Sequence, residues 1–323
     1  MMKKSLALAI DLGGTSIRGA LIQPDGTVLE HCYTDTPKSD NPHVIIGEVN
    51  RLAQGLLEKE DIGLIAGIGA SVPGPVDPRK GVIYRPPNLP GWTEVPIKKI
   101  WEEEFGLPVR VGNDANFAAL GEQRFGAGRG VDDLIYITVS TGIGGGIIVG
   151  GHLLEGATGM AGEVGHMTIM PDGPPCNCGN RGCLEALASG LAIARMAQER
   201  LSRDRSSAIS CMINSLEEVT AETVAKAASK GDSLALEIMK EAAGNLGIGV
   251  ANLVQIFNPQ LVIIGGGVSK AGKMLLGPVQ EAVRERTMPS LREGLKIVTS
   301  ALGDDACLMG AAASVWKRHR GAD

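Results

Sequence analysis

No stretch of the 323-residue chain runs for the roughly 18 uninterrupted apolar residues that a membrane span needs. A marked excess of either charge is missing too. Lys and Arg number 31 against 36 Asp and Glu, a formal net charge of -5, which leaves no basic footprint for nucleic acid. Cysteine is sparse, six in all, so the chain is no disulfide-dense scaffold. Cys32, Cys211 and Cys307 stand singly in ordinary surroundings and read as small, buried or half-buried apolar residues. The start, "MMKKSLALAIDLGG", has a basic opening but reaches Asp11 within seven apolar-rich residues and lacks a small-residue cleavage site. It reads as a first strand and not as a signal peptide, and the expected setting is the cytoplasm.

What the chain does have is length for roughly two domains of about 150 residues each, and a pattern that occurs twice. Residues 5–11, 16–22 and 27–33 read as strands, the last two joined by the turn Pro24-Asp25-Gly26. A helix is predicted over 42–60 from the apolar face Ile45, Val49, Leu52, Ala53 and Leu56, then a buried strand over 62–70. A helix near 96–105 and a strand at 108–111 lead into "NDANFAALGE", where strand gives way to helix. From residue 133 the meander begins again, followed by helices at 184–201, 219–229 and 231–256, strand "LVIIGGG", a helix, strand "LKIVTS" and a last helix from about 305 to 317. The expected fold is α/β, in two meander-plus-helix halves with ligands in the cleft between them.

Glycine clusters mark three turns. "DLGGTS" (11–16) offers uncovered backbone N–H groups at Gly13, Gly14 and Thr15, and "STGIGGG" (140–146) offers Thr141 and Gly142 at the equivalent hairpin of the second half. Neither is a dinucleotide fingerprint, which must run from strand into helix, nor a Walker loop, which needs G-K-[ST]. Each alone reads more readily as a plain β-turn. As a pair at equivalent places they suit a polyphosphate spanning the cleft. "VIIGGGVS" (262–269) places Gly265, Gly266 and Gly267 between a strand and a helix, where an adenosine moiety approaches or where the turn merely needs glycine. Asp11 either caps its turn or orients water around Mg²⁺.

Asn113 and Asp114 follow an apolar strand directly. One of them reads as a helix cap; together they also suit a hydroxyl nucleophile held by an amide and deprotonated by a carboxylate. Glu163, His166 and Glu185 supply polar groups for vicinal hydroxyls, with surface charge the plain alternative for the two glutamates. Cys176, Cys178 and Cys183 crowd into "CNCGNRGC". A disulfide would strand one thiol. Three thiolates need one more ligand for tetrahedral Zn²⁺, which His166 supplies ten residues upstream, with His152 the competitor. A closed Cys₃His set makes such a metal structural.

With these segments in hand, the chain resembles the ROK family of sugar kinases and repressors. The likeness is carried by "DLGGTSIRGAL", "PGPVD", "NLPGW", "NDANFAALGE", "STGIGGGIIVGGHLLEGATGMAGEVGH", "CNCGNRGCLE" and "VIIGGG", in family order over nearly the whole chain. The resemblance implies an actin-like ATPase (ribonuclease H-like) fold, with residues 1–112 plus 305–323 as a small domain and 113–304 as a large one. It implies transfer of phosphate from ATP to the 6-hydroxyl of glucose, with N-acetylmannosamine, N-acetylglucosamine or fructose as alternative substrates and a non-catalytic sugar-responsive regulator as the alternative of another class. Asp114 would be the base; Asn113, Glu163, His166 and Glu185, with Gly74 and Asn88, would hold the sugar; the first two loops would hold phosphates. It agrees with His166, Cys176, Cys178 and Cys183 as zinc ligands and implies a homodimer or homotetramer, with no nucleic acid or membrane partner. Family members often carry Lys or Arg just after D-x-G-G-T, where this chain has Ser16, with Arg18 two residues on. ROK repressors carry an extra N-terminal helix-turn-helix region, whereas the first strand here is expected by about Ser5.

Overall fold

A computed structural model describes residues 5–86 and 88–316. In its first half, β1 (Leu6–Leu12), β2 (Ser16–Ile22) and β3 (Val28–Asp35) form the expected antiparallel meander. After α1 (Pro42–Leu57) comes β4 (Ile65–Val72), then a small ribbon of β5 (Val76–Asp77) and β6 (Val82–Ile83), α2 (Ile97–Phe105) and β7 (Val109–Asn113). The second half repeats the plan after α3 (Asp114–Phe125): β8 (Leu134–Val139), β9 (Ile143–Val149) and β10 (His152–Leu153), then α4 (Leu184–Ala188), α5 (Gly190–Leu201), α6 (Ala221–Ser229) and α7 (Ser233–Phe257). It ends with β11 (Leu261–Gly265), α8 (Lys273–Arg286), β12 (Lys296–Thr299) and α9 (Ala306–Trp316). The two sheets have the same order, β3-β2-β1-β4-β7 and β10-β9-β8-β11-β12, each a meander extended by two parallel strands.

Local chemistry accounts for the elements. At α1, the Asn41 side chain accepts from the His43 N–H and Pro42 takes the first turn, where its missing N–H costs nothing. The buried stripe of Ile45, Ile46, Val49, Leu52, Ala53 and Leu56 then packs on the sheet. Gly19 of β2 makes room, since a Cβ there would lie 2.3 Å from Leu52 and 2.9 Å from Leu56. Two sequence expectations need correction, and part of a third lies outside the described residues. Residues 62–64 form a 3₁₀ turn capped by Asp61, so the strand expected from 62 starts at Ile65. The single helix expected over 184–201 breaks at Ser189, whose extended backbone ends α4 and whose hydroxyl caps α5 through Ala192 N–H. Of the last helix, expected to residue 317 in a small domain running to 323, residues 317–323 lie outside the described residues.

Helices α3 and α9 sit between the sheets. A core cluster joins Ala7, Ala9 and Ala20 of the first sheet, Leu134, Tyr136 and Ile263 of the second, and Phe117 to Leu120 and Ala311 to Ala313 of the two helices. Glycine permits this spacing: a Cβ on Gly310 would meet the Phe117 carbonyl at 1.6 Å, and one on Gly69 the Ala311 carbonyl at 1.8 Å. Among the described residues no helix is long and apolar enough to cross a membrane.

Glu122 of α3, with no solvent exposure, holds this arrangement together. Its carboxylate accepts from Ala127 N–H (2.7 Å), Leu302 N–H (2.9 Å) and the Ser300 hydroxyl (2.5 Å), so it fixes the turn that leads into α9. Removing it leaves three donors without an acceptor, each at about 1–3 kcal/mol when buried. Glu122→Ala is therefore expected to lower unfolding free energy by about 3–5 kcal/mol in urea titration; a loss below about 1 kcal/mol would show that water replaces the carboxylate without cost.

Candidate active site

The parallel register lines up one end of the first sheet. Asp11 of β1 pairs with Ser71 of β4, and Ser71 with Gly112 of β7, so Asp11 and the Asn113-Asp114 pair emerge at the same edge about two strand spacings (roughly 10 Å) apart. In the second sheet Gly265 pairs with Thr138, which brings the third glycine cluster beside the β8–β9 turn. Ligand sites in such sheets lie outside the carboxyl ends of the parallel strands.

Asn113 caps α3, its Oδ1 accepting from Asn116 N–H at 2.8 Å, and Asp114 is the first helical residue. The Asp114 carboxylate accepts from Ala115 N–H at 2.8 Å. Its side chain is exposed to solvent, while the protein packed around it removes part of its hydration. This desolvation pushes its pKa above the ordinary carboxylate value; the Ala115 N–H opposes the shift, and the charges of Asp11 and Glu163 add to it. The Asn-Asp pair thus combines the cap of α3 with a carboxylate of raised pKa.

Strand β9 explains how Glu163 comes near. Gly144 and Gly146 face α3, where a Cβ would meet the Ala115 methyl at 3.1 Å and the Ala115 carbonyl at 2.6 Å. Gly145 faces the other way, and a Cβ would meet Val164 at 2.6 Å and the Gly162 carbonyl at 3.0 Å. The run "GGG" therefore draws Asp114 onto one face and the Glu163 segment onto the other. Sequence reading had put all of 140–146 in a phosphate loop; only Ser140, Thr141 and Gly142 form the turn, because residues 143–149 pair as strand β9.

The other expected sugar residues spread around this centre. Gly74 abuts Asn113, with a Cβ position 3.8 Å from the Asn113 Cβ. Asn88 is exposed and packs instead against the first loop, 2.9 Å from a Cβ on Gly14. Glu185 reaches the β8–β9 turn, its Oε2 accepting from Ile143 N–H at 2.9 Å. In the first loop Gly13 N–H donates to Ser16 O at 2.9 Å, and Gly14 and Thr15 lie exposed at the tip. Of the third cluster, Gly265 gives way to the Tyr136 hydroxyl (2.1 Å from a Cβ) and Gly266 has φ +82°, so packing explains both. Gly267 opens a 3₁₀ helix to Ala271, which stands where a regular helix was expected directly, and faces Ser140.

Asp11 is not free. Arg18 donates twice to its Oδ2, at 2.6 and 3.2 Å, and also to the Asp304 carbonyl at 2.7 Å and Asp305 at 3.3 Å. Sequence reasoning missed this partner of Asp11, together with Cys307, whose thiol lies 3.5 Å from the Asp114 carbonyl oxygen. Burial, then the charges of Asp11 and Asp114, push that thiol well above its ordinary pKa. No local pattern marks either residue.

His166, Cys176, Cys178 and Cys183 offer ligand atoms all within 4.8 Å of one another. His166 Nδ1 lies 3.7 Å from Cys176 Sγ, and Cys178 Sγ 3.7 Å from Cys183 Sγ. Tetrahedral zinc with sulfur at about 2.3 Å requires sulfur–sulfur edges of roughly 3.8 Å, so the donor set fits the ion. His152, the competitor, lies on β10 outside the group. The other nitrogen of His166, Nε2, points toward Glu163, 4.0 Å from its Oε2. The knuckle is folded by backbone bonds, Gly182 N–H to Pro174 O (2.8 Å) and Ile169 N–H to Gly182 O (2.9 Å) among them. Gly182 has φ +66°, and a Cβ there would strike the Met170 carbonyl at 1.5 Å, so the position requires glycine.

Residues 7–318 match the ROK family. The chain is 39% identical over 320 residues to a glucokinase of Thermotoga maritima, covering 99% of this chain and 100% of that one. It is 37% identical to a xylose repressor of Caldicellulosiruptor bescii, over 95% of this chain and 77% of the repressor. Among solved structures, a ROK family glucokinase from Streptomyces griseus in complex with glucose and AMPPNP superposes with a TM-score of 0.82 at 36% identity, covering 95% of this chain and 98% of that one.

Proposed function

Since the chain belongs to the ROK family, with its actin-like ATPase fold, we propose that it is an ATP-dependent glucokinase, converting glucose to glucose 6-phosphate and leaving ADP. The observation that carries the mechanism is the position of Asp114, a carboxylate with a raised pKa at the start of α3, near enough to Asp11 and Glu163 to feel both charges. In the reaction the glucose 6-oxygen attacks the γ-phosphorus, the bond to the β-phosphate oxygen breaks and the hydroxyl proton passes to Asp114. Asn113 has its Oδ1 committed to the helix cap, which leaves its NH₂ to hold a sugar oxygen. Glu163, His166 Nε2 and the remaining oxygen of Glu185 hold further hydroxyls, with Gly74 beside Asn113. Asn88 supports the first phosphate turn from outside the sugar group.

The N–H groups of Gly14 and Thr15 on one sheet and of Thr141 and Gly142 on the other receive the phosphates, with Gly13 closing the first turn onto Ser16 O and Gly267 toward the adenosine end. Gly265 and Gly266 serve packing. Asp11, neutralised on Oδ2 by Arg18, does not make a resident Mg²⁺ site; the ion belongs to the substrate, carried on the ATP phosphates, where Asp11 Oδ1 meets its water shell. The four knuckle residues hold a structural zinc. The small domain takes residues 1–112 plus the α9 segment and the large domain 113–304, and a homodimer or homotetramer accords with the family.

A coupled assay over glucose, N-acetylglucosamine, N-acetylmannosamine and fructose tests the substrate. Glucose is expected to give the highest kcat/KM, by at least about tenfold, a difference of about 1.4 kcal/mol in transition-state binding. Turnover with an N-acetylhexosamine and none with glucose would overturn the assignment, and no turnover with any sugar would favour a sugar-responsive regulator, the role that the name of the C. bescii relative carries.

A further inference from the structure

We propose that Glu185 is a positioning residue for the nucleotide as well as a sugar ligand: it tethers the β8–β9 turn, so that the metal knuckle, through α4, sets the shape of the phosphate cradle. This rests on the assignment of Ser140 to Gly142 as phosphate-binding.

The tether is a charge-assisted bond from Ile143 N–H to Glu185 Oε2 at 2.9 Å. The turn wraps closely around that oxygen, which lies 2.4 Å from where a Cβ on Gly142 would stand. Two more bonds clasp the turn from the same side, Gly190 N–H to Ser140 O (2.7 Å) and Leu191 N–H to Thr141 O (3.4 Å). The break at Ser189 makes these possible, because a continuous helix would have committed the N–H groups of residues 190 and 191 to its own carbonyls. Within the turn Ser140 N–H bonds Gly142 O at 2.9 Å. The turn is thus gripped from outside by the first two turns of helix after the knuckle.

At its other end α4 is fixed to the metal ligands. Cys183 is its cap residue, Leu184 N–H donates to Met167 O at 2.9 Å, and Cys183 pairs across to Thr168. Met167 adjoins His166. A continuous path of short bonds therefore runs from two metal ligands through Glu185 to Ile143, and no part of it depends on a substrate. A carboxylate has two oxygens and about four acceptor positions. With Oε2 on the turn, Oε1 is left for a hydroxyl, and one side chain faces both substrates.

The test is the affinity for AMPPNP, measured by calorimetry without sugar. Glu185→Ala and the shorter Glu185→Asp, which cannot span to Ile143, are expected to weaken it about tenfold, the value of one hydrogen bond to a charged group. Glu185→Gln keeps an acceptor oxygen of the same reach and should stay within about twofold for the nucleotide, while all three variants weaken glucose. A merely structural role would not give this split or this rescue. If Glu185→Ala and Glu185→Asp, both folded by circular dichroism, bind AMPPNP within about twofold of wild type, the tether is wrong. Thr141→Glu, which sets a negative charge at the turn, separates the two claims: it should lose AMPPNP binding and keep glucose. Unchanged AMPPNP binding in Thr141→Glu would remove the turn from the nucleotide site, and the tether with it.

Discussion

Replacing Asp114 by asparagine is expected to lower kcat about a thousandfold while glucose binding, followed by calorimetry, stays measurable. General-base catalysis contributes about 10²–10⁴-fold, and an amide of the same shape cannot take the proton. Survival of activity within about tenfold would assign the base elsewhere. The same variant carries a second expectation of opposite sign. Burial raises the Asp114 pKa, so the folded state holds this proton more tightly than the unfolded chain does. The stability associated with the protonated form is fully present below the unfolded-state pKa and is lost as pH rises through the folded one. At neutral pH wild type bears that loss, whereas Asp114→Asn does not. The variant should melt at the same or a higher temperature than wild type at pH 7, with the difference closing toward pH 4. In wild type, kcat/KM should fall on the acid side at a pH above the ordinary carboxylate range, because only the ionised carboxylate accepts the proton.

Loss of the metal is expected to damage sugar binding and stability together. Cys178 is the exposed member of the set, so Cys178→Ser leaves no cavity and its effect reports the metal itself. Without a dication, burial pushes the Cys183 thiol up to about 12, which leaves that residue unable to form its thiolate unaided, whereas the Asn180 N–H lowers the pKa of Cys178. Chelation or Cys178→Ser should raise the glucose KM by about 10–100-fold, the usual cost of losing a group that orients a ligand-bearing histidine. The melting temperature should fall with it, and His166 is the reason for the coupling: Nδ1 faces the sulfurs and Nε2 faces the Glu163 side. A zinc-free protein, established by metal analysis, with a normal glucose KM would sever the knuckle from the pocket.

The parts of this molecule legible in its sequence are those whose causes are local. The meanders, α1 and the knuckle are each specified by residues a few positions apart, a buried apolar run in β1, a 3.6-residue stripe in α1, and His166 with three cysteines within 166–183. What could not be read has distant causes. The break in 184–201 depends on the carbonyls of Ser140 and Thr141, some fifty residues earlier in the chain. The glycines of β9 look like a loop because their real partners, Ala115 on one face and Val164 on the other, are invisible to any window along the strand. Glu122 reads as an ordinary helix carboxylate until its acceptors' partners at Ser300 and Leu302 are seen. Asp114 draws notice in the sequence because it follows the Asn113 cap, but its environment does not, since Asp11 reaches it through the register of the first sheet and Glu163 through the packing of residues 162–164 on Gly145.

The close seating of α9 against Gly69 and Phe117 also imposes an order on synthesis. The first sheet leaves the ribosome early with its parallel strands complete, yet the face that carries Ala7, Ala9 and Gly69 has only α3 to cover it until Ala311 has been made. Contacts between residues so far apart form late and slowly, because the loop they close is long. Until then the nascent chain displays an apolar sheet face that is only partly covered, the kind of surface on which chaperones act and aggregates begin. The helix that completes the cover is the same one that brings Cys307 to the Asp114 backbone and the turn at Asp304 and Asp305 to Arg18, so these contacts form only as that face is hidden.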